Sequence, residues 1–132
     1  MTHTGACRCG AITWRAEGDP VHASLCHCAD CVRSAGAPVV GWAMFAQADV
    51  TITGVPTDYE SSPGTIRRFC ATCGTGLFYL NDAVFPGQID IQSATTDDPD
   101  ALPPQARIQM ADAPGWFARF ADLPKFDRFP EG

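Results

Sequence analysis

All seven cysteines of this 132-residue chain fall into three clusters: Cys7-Arg8-Cys9-Gly10, Cys26-His27-Cys28-Ala29-Asp30-Cys31 and Cys70-Ala71-Thr72-Cys73-Gly74. An odd number of thiols, with no basic and apolar leader over Met1–Gly5, fits a disulfide framework poorly. The expected compartment is the cytoplasm, where thiols stay reduced. Thiolates at such spacing suit zinc, which takes four protein ligands in a structural site and three plus an exchangeable position in a catalytic one. Seven divides as four plus three. The outer clusters each put two cysteines on a tight turn, followed by a glycine (Gly10, Gly74) free to take positive φ. Together they make a four-thiolate site that clamps the N-terminal strand to the middle of the sheet, where metal-binding free energy becomes folding free energy.

The middle cluster can wrap a metal alone. Cys26 and Cys28, two apart on an extended segment, point the same way, and Cys31 returns from the first turn of a short helix. His27 points away. Three thiolates leave one position for water or substrate, unless His3, His22 or a carboxylate closes it and makes a second staple. Asp30, at the start of the helical turn, reads as a cap or dipole partner, with a proton-transfer role as the alternative. Arg8, Arg33, Arg67 and Arg68 lie within three residues of a cysteine in a chain with only nine Lys and Arg. They either balance the charge of zinc–thiolate centres or, for Arg33 above all, meet a ligand carboxylate. Trp42 and Phe45 follow the middle cluster and either fill the core or wall a pocket. Trp116, Phe117 and Phe120 read as a packing face.

The elements that must position these groups are mostly strands. Val, Ile and Thr far outnumber Leu, and 12 Gly and 11 Pro punctuate the whole chain, a composition that disfavours long helices. Alternation predicts strands at Ala11–Arg15 and Val50–Thr53, and further strands are expected at Val39–Phe45, Thr65–Phe69, Leu77–Leu80 and Gln88–Ser93. Short helices are expected at Ala29–Ser34 and Pro114–Ala121, a turn-rich connector at Pro99–Pro104 and a tail at Lys125–Gly132. No repeat or linker divides residues 1–132, which read as one domain. The net charge of −6 and pI near 4.7 argue against a nucleic-acid partner, which needs clustered Lys and Arg. The longest apolar stretch, Ala37–Ala46, is half of the roughly 20 residues a membrane span requires.

The three cysteine clusters, in this order and at these separations, resemble the glutathione-dependent formaldehyde-activating enzyme family, which also includes centromere protein V. Arg68-Phe69 before the last cluster, Thr95-Thr96-Asp97-Asp98-Pro99, Trp116 and Leu123-Pro124-Lys125-Phe126 extend the likeness over nearly the whole chain. Two segments depart from it: Ala94-Thr95-Thr96 stands where the family has Gly-x-Leu, and Arg107-Ile108 where it has His-Ile. The resemblance implies an all-β, single-domain, zinc-stapled β-tent fold. It implies two zinc ions, one structural on Cys7, Cys9, Cys70 and Cys73 and one catalytic on Cys26, Cys28 and Cys31. The implied activity is that of a carbon–sulfur lyase, condensing glutathione with formaldehyde to S-(hydroxymethyl)glutathione.

Site chemistry agrees. A thiol entering the open position would lose its proton, as coordinating thiols do. Three protein thiolates weaken zinc as a Lewis acid for carbonyls while keeping a substrate sulfur electron-rich. Addition of a small thiol to a small aldehyde is therefore expected ahead of amide hydrolysis. The alternative is a zinc-stapled binding module without catalysis, which a closed second site would favour.

Overall fold

In the computed structural model, which describes residues 1–130, the backbone forms ten strands among the described residues. They are β1 (Thr2–Ala6), β2 (Thr13–Glu17), β3 (His22–Cys26), β4 (Val40–Ala46), β5 (Val50–Thr53), β6 (Thr57–Ser62), β7 (Thr65–Phe69), β8 (Gly76–Leu80), β9 (Gln88–Gln92) and β10 (Ala106–Ile108). The helix α1 (Ala29–Ala35) follows β3. Strands β1, β2 and β5 make a three-stranded sheet, and the others make a seven-stranded sheet in the order β10-β3-β4-β9-β8-β7-β6. Every pairing is antiparallel except β10 on β3. The fold is the single-domain, mainly-β architecture expected from the composition.

Side-chain alternation gives the large sheet two unlike faces. On one, Ala43 and Phe45 of β4 stand opposite Ile91 and Ile89 of β9, with Phe78 of β8 beside Ile91. This face packs on Ile12, Trp14 and Ala16 of the small-sheet region to form the main core. Trp14 also donates its indole N–H to the Thr95 hydroxyl at 3.1 Å, and Thr95 in turn donates to the Gln92 carbonyl. The other face carries Trp42, which joins Cys26, Cys31 and Val40 in a second, smaller cluster.

Four strands lie outside the expected set. β1 has only small and polar residues plus a histidine, and β6 and β10 are exposed almost throughout. Their place is set by backbone pairing with neighbours, a non-local term that period-2 patterning does not register. β3, five residues long, ends in the first cysteine of the middle cluster. The helix expected at Pro114–Ala121 is a 3₁₀ segment, Gly115–Asp122, broken at Arg119. Glycine and three aromatics are poor α-helix formers, and a stretch this short needs tertiary support. Phe117 supplies it by packing edge-on against His27 at 4.8 Å. The tail has no regular structure through Pro130, and its last two residues lie outside the described range.

The core face is the fold's main apolar interface, and truncation there is expected to be costly. Ile91→Ala should destabilise the zinc-loaded protein by about 2–5 kcal/mol. Val55→Ala, at a residue 89% exposed, should stay within about 0.5 kcal/mol of the parent. Urea or guanidinium unfolding of the two variants measures the contrast.

Candidate metal centres

The first centre is built from two similar turns. The Cys7–Gly10 turn closes with Gly10 N–H donating to the Cys7 carbonyl at 3.1 Å, and the Cys70–Gly74 turn with Gly74 N–H donating to the Cys70 carbonyl at 2.7 Å. Gly10 and Gly74 sit at φ 81° and 82°, where a side chain would be strained. The turns bring four sulfurs within 4.8 Å of one another. Cys9 Sγ lies 3.7 Å from Cys7 Sγ and 3.8 Å from Cys70 Sγ. Those spacings fit the edge of a tetrahedron, about 3.8 Å, that zinc–sulfur bonds of about 2.3 Å require. The surroundings suit thiolates. Ile12 N–H donates to Cys7 Sγ at 3.3 Å, and Thr75 stands 3.2 Å from Cys73 Sγ. The Thr75 hydroxyl and backbone pull the Cys73 thiol down to about 5.

The second centre sits on the far face of the large sheet. Cys26 closes β3, and Cys28 caps α1 in extended conformation, its sulfur accepting from Cys31 N–H at 3.2 Å. The three sulfurs lie within 4.8 Å, and among the described residues no fourth His, Cys, Asp or Glu ligand atom joins them. His27 turns the other way, as expected: it is 1% exposed and its Nε2 accepts from Arg107 Nε at 3.1 Å. Arg107 is therefore tied to the back of the cluster, with its guanidinium also over Phe117. Burial pushes the Cys26 thiol up to about 12 and raises that of Cys31. A dication among the three sulfurs would reverse that preference, since coordinating thiols are deprotonated. The donor set fits zinc.

The trio opens on a cleft of about 170 Å³ lined also by Asp30, Trp42, Arg67, Tyr79, Phe85, Asp90 and Gln109. Arg67 is the cation of the site. Its Nη2 donates to Asp30 Oδ2 at 2.7 Å and to Cys31 Sγ at 3.4 Å, with its guanidinium 5.1 Å from the Tyr79 ring centre. Asp30 thus partners Arg67, while the α1 N-terminus is capped by Cys28. Two loops complete the walls. Asn81 Oδ1 accepts from the N–H groups of Ala83 and Val84 in the turn that carries Phe85. Gln109 bends the chain after β10 at φ 57°, the one non-glycine residue at positive φ among the described residues. The Asp112 carboxylate just beyond accepts from Ala29 N–H.

The sequence-selected groups are thus sorted by position. All seven cysteines fall into the two expected sets, and Trp42 walls the cleft. Phe45, 1% exposed, faces the main core, because it is an odd number of strand positions from Trp42. Arg33 is exposed on α1 and does not line the cleft. Arg67, singled out only as one of four arginines, occupies it. Asp90 and Gln109 carried no sequence signal. Each reaches the cleft through strand or loop placement rather than proximity to a cysteine.

Comparison with known proteins adds three findings. A family model described as glutathione-dependent formaldehyde-activating enzyme matches residues 2–112. A Schizosaccharomyces pombe protein named as an uncharacterized lyase is 28% identical over 112 residues, covering 74% of this chain and 82% of its own. A crystal structure of a Rhodobacter sphaeroides protein has the same fold, with a TM-score of 0.59 at 24% identity over 79% of this chain and 98% of that one.

The two sulfur sets should respond differently to mutation. Cys70→Ser removes a ligand from the junction of distant segments and should leave the protein unfolded or aggregated. Cys28→Ser should lose one metal equivalent with a nearly unchanged far-UV circular dichroism spectrum. The reverse pattern would exchange the two roles.

Proposed function

Because the chain belongs to the glutathione-dependent formaldehyde-activating enzyme family, we propose that it is a zinc-dependent carbon–sulfur lyase-type enzyme. It joins a small thiol, glutathione or one like it, to formaldehyde or another small aldehyde at the Cys26, Cys28 and Cys31 centre. The observation that supports this reading is the opening of these three thiols onto a cleft, with no fourth His, Cys, Asp or Glu ligand atom joining them among the described residues. A closed second staple would have favoured the binding module. Cys7, Cys9, Cys70 and Cys73 hold the structural zinc in this reading.

When bound to the three cysteines, zinc supplies an electrophilic position at which an incoming thiol ionises. The protein's own groups do the rest. Arg67 offsets the negative charge of the cysteine trio and stays fixed by Asp30 and the Tyr79 ring. Trp42, Tyr79 and Phe85 present apolar surface that limits water around the reacting sulfur. The cleft is small enough to hold an aldehyde of a few heavy atoms close to that sulfur. A wider hollow of about 550 Å³ shares Trp42 and Arg67 with it and leaves room for the remainder of a peptide-sized thiol. Ionisation contributes at most about tens-fold, since a free thiol of pKa near 8.5 is only a few per cent thiolate at neutral pH. Orientation in the cleft supplies any larger acceleration.

Two measurements test this function. Elemental analysis of protein purified without chelator should find two zinc equivalents per chain; one equivalent with seven freely titrating thiols would remove the second centre. NMR exchange spectroscopy with glutathione and formaldehyde should show faster interconversion with their hemithioacetal, and Cys31→Ser should lose that acceleration. Unchanged rates at full zinc occupancy, across glutathione and other small thiols, would leave the binding module as the reading.

A further inference from the structure

Asp90 lies in the middle of β9 between Ile89 and Ile91, both turned into the main core. Alternation sends its carboxyl to the opposite face. There it occupies one row across five strands, in which Arg67 pairs with Tyr79, Tyr79 with Asp90, Asp90 with Met44, and Met44 with His22. The row ends in the cleft beside the three cysteines. Asp90 is only 8% exposed, and its Oδ1 is buried without a hydrogen-bond partner. An unpaired buried carboxyl costs free energy and calls for a functional explanation. The other carboxylate of the cleft, Asp30, is already held by Arg67 and is 74% exposed on its side chain.

We propose that Asp90 is the proton-transfer group of the cleft, taking the proton of the incoming thiol and delivering it to the aldehyde oxygen. The assignment rests on the thiol–aldehyde function proposed above. In the forward direction the S–H bond breaks and its proton passes to the Asp90 carboxylate. The sulfur electron pair forms the S–C bond, the carbonyl π pair moves onto oxygen, and that oxygen takes the proton back from Asp90. The sum is thiol plus aldehyde giving hemithioacetal, with no outside acid, base or redox partner. Read backwards, Asp90 accepts the hydroxyl proton and returns it to sulfur.

The surroundings suit the task. Burial pushes the Asp90 carboxyl up to about 6, against the opposing pull of His22. A group near neutrality exchanges protons efficiently in both directions. The other ionisable groups facing this space are Arg67 from β7, Tyr79 from β8, His22 from β3, and Asp30 with Cys26, Cys28 and Cys31 from the β3–α1 segment.

The test compares zinc-loaded wild type with Asp90→Asn, using glutathione and formaldehyde in exchange NMR between about pH 5 and pH 8. A positioned acid–base group is worth about 100-fold or more, so Asp90→Asn should be slower by about that factor and lack the wild-type limb near pH 6. It should retain both zinc equivalents. A readout independent of turnover is the ¹³C carboxyl spectrum of aspartate-labelled wild type, in which one resonance titrating near 6 should be missing from the variant. Stability gives the same sign. The native carboxyl titrates above its ordinary value of 3.8, so wild type loses stability relative to Asp90→Asn as pH rises through about 6. The melting temperature of Asp90→Asn relative to wild type should therefore rise between about pH 4 and pH 6 and level off above that. Should that variant fail to fold, Asp90→Glu should keep the pH limb, and the wild-type titration still reports. An active wild type matched in rate and pH profile by Asp90→Asn overturns the Asp90 assignment alone. So does loss of a zinc equivalent from the variant, or the absence of any carboxyl titrating near 6. A zinc-loaded wild type that accelerates nothing overturns the thiol–aldehyde function and this assignment with it.

Discussion

Four sulfurs from turns 61 residues apart meet at one point, and the arrangement of the rest of the chain follows from that junction. Left unligated, such a concentration of thiols in a partly buried place offers little cohesion. Bound to one dication, it is a short, directional cross-link between the β1–β2 connection and the β7–β8 hairpin. A domain of this size has limited surface to bury, so a cross-link whose binding energy is also folding energy has large leverage. It holds the three-stranded sheet over one face of the seven-stranded one. Ile12, Trp14 and Ala16 then meet Phe45, Phe78, Ile89 and Ile91.

Covering one face of the large sheet leaves the other for chemistry. That face is closed by α1, by the Phe85 turn and by the segment from β10 to Asp112, which together leave a cleft rather than a second core. Its lining carries charge of both signs. Arg67 Nη2 is held by Asp30 and Cys31 and its guanidinium lies over the Tyr79 ring, while Arg67 Nε and Asp90 Oδ1 are both buried without a hydrogen-bond partner. The two cysteine sets are thus divided by face: one joins distant turns behind the apolar interface, and the other looks into the polar cleft. Arg107 lies on the back of the second cysteine set, where it donates to His27 and its guanidinium sits over the Phe117 ring.

The single strand β9 shows how closely stability and chemistry are interleaved. Ile89 and Ile91 belong to the main core, and Asp90 between them belongs to the cleft. A slip of one residue in its pairing with β4 would bury the carboxylate in the core and expose the isoleucines. The register that stabilises the sheet is therefore also the register that turns the Asp90 carboxyl toward the cleft. Trp42 and Phe45 on β4 divide the same way, one toward the cysteines and the other into the core.

The cysteine clusters were legible because ligand spacing is local. Two sulfurs on one turn, a following glycine at positive φ, and a third sulfur from a capped helix are written within a few residues, and so is the metal they suit. Six of the ten strands were legible for the same local reason, two through alternation and four as short runs rich in strand-forming residues. The sequence by itself determined the grouping of the seven cysteines into four and three, each set able to hold a metal ion, and the mainly-β fold. It did not determine what would cover the polar face of the sheet, because β7 carries an arginine on each face and the covering elements come from distant segments. Arg67 rather than Arg33 enters the cleft, and Asp90 becomes buried, only when β7, β8, β9 and β4 align in register beneath α1. Burial of a strand residue depends on what is packed over it, so that part of the site exists only in the tertiary structure.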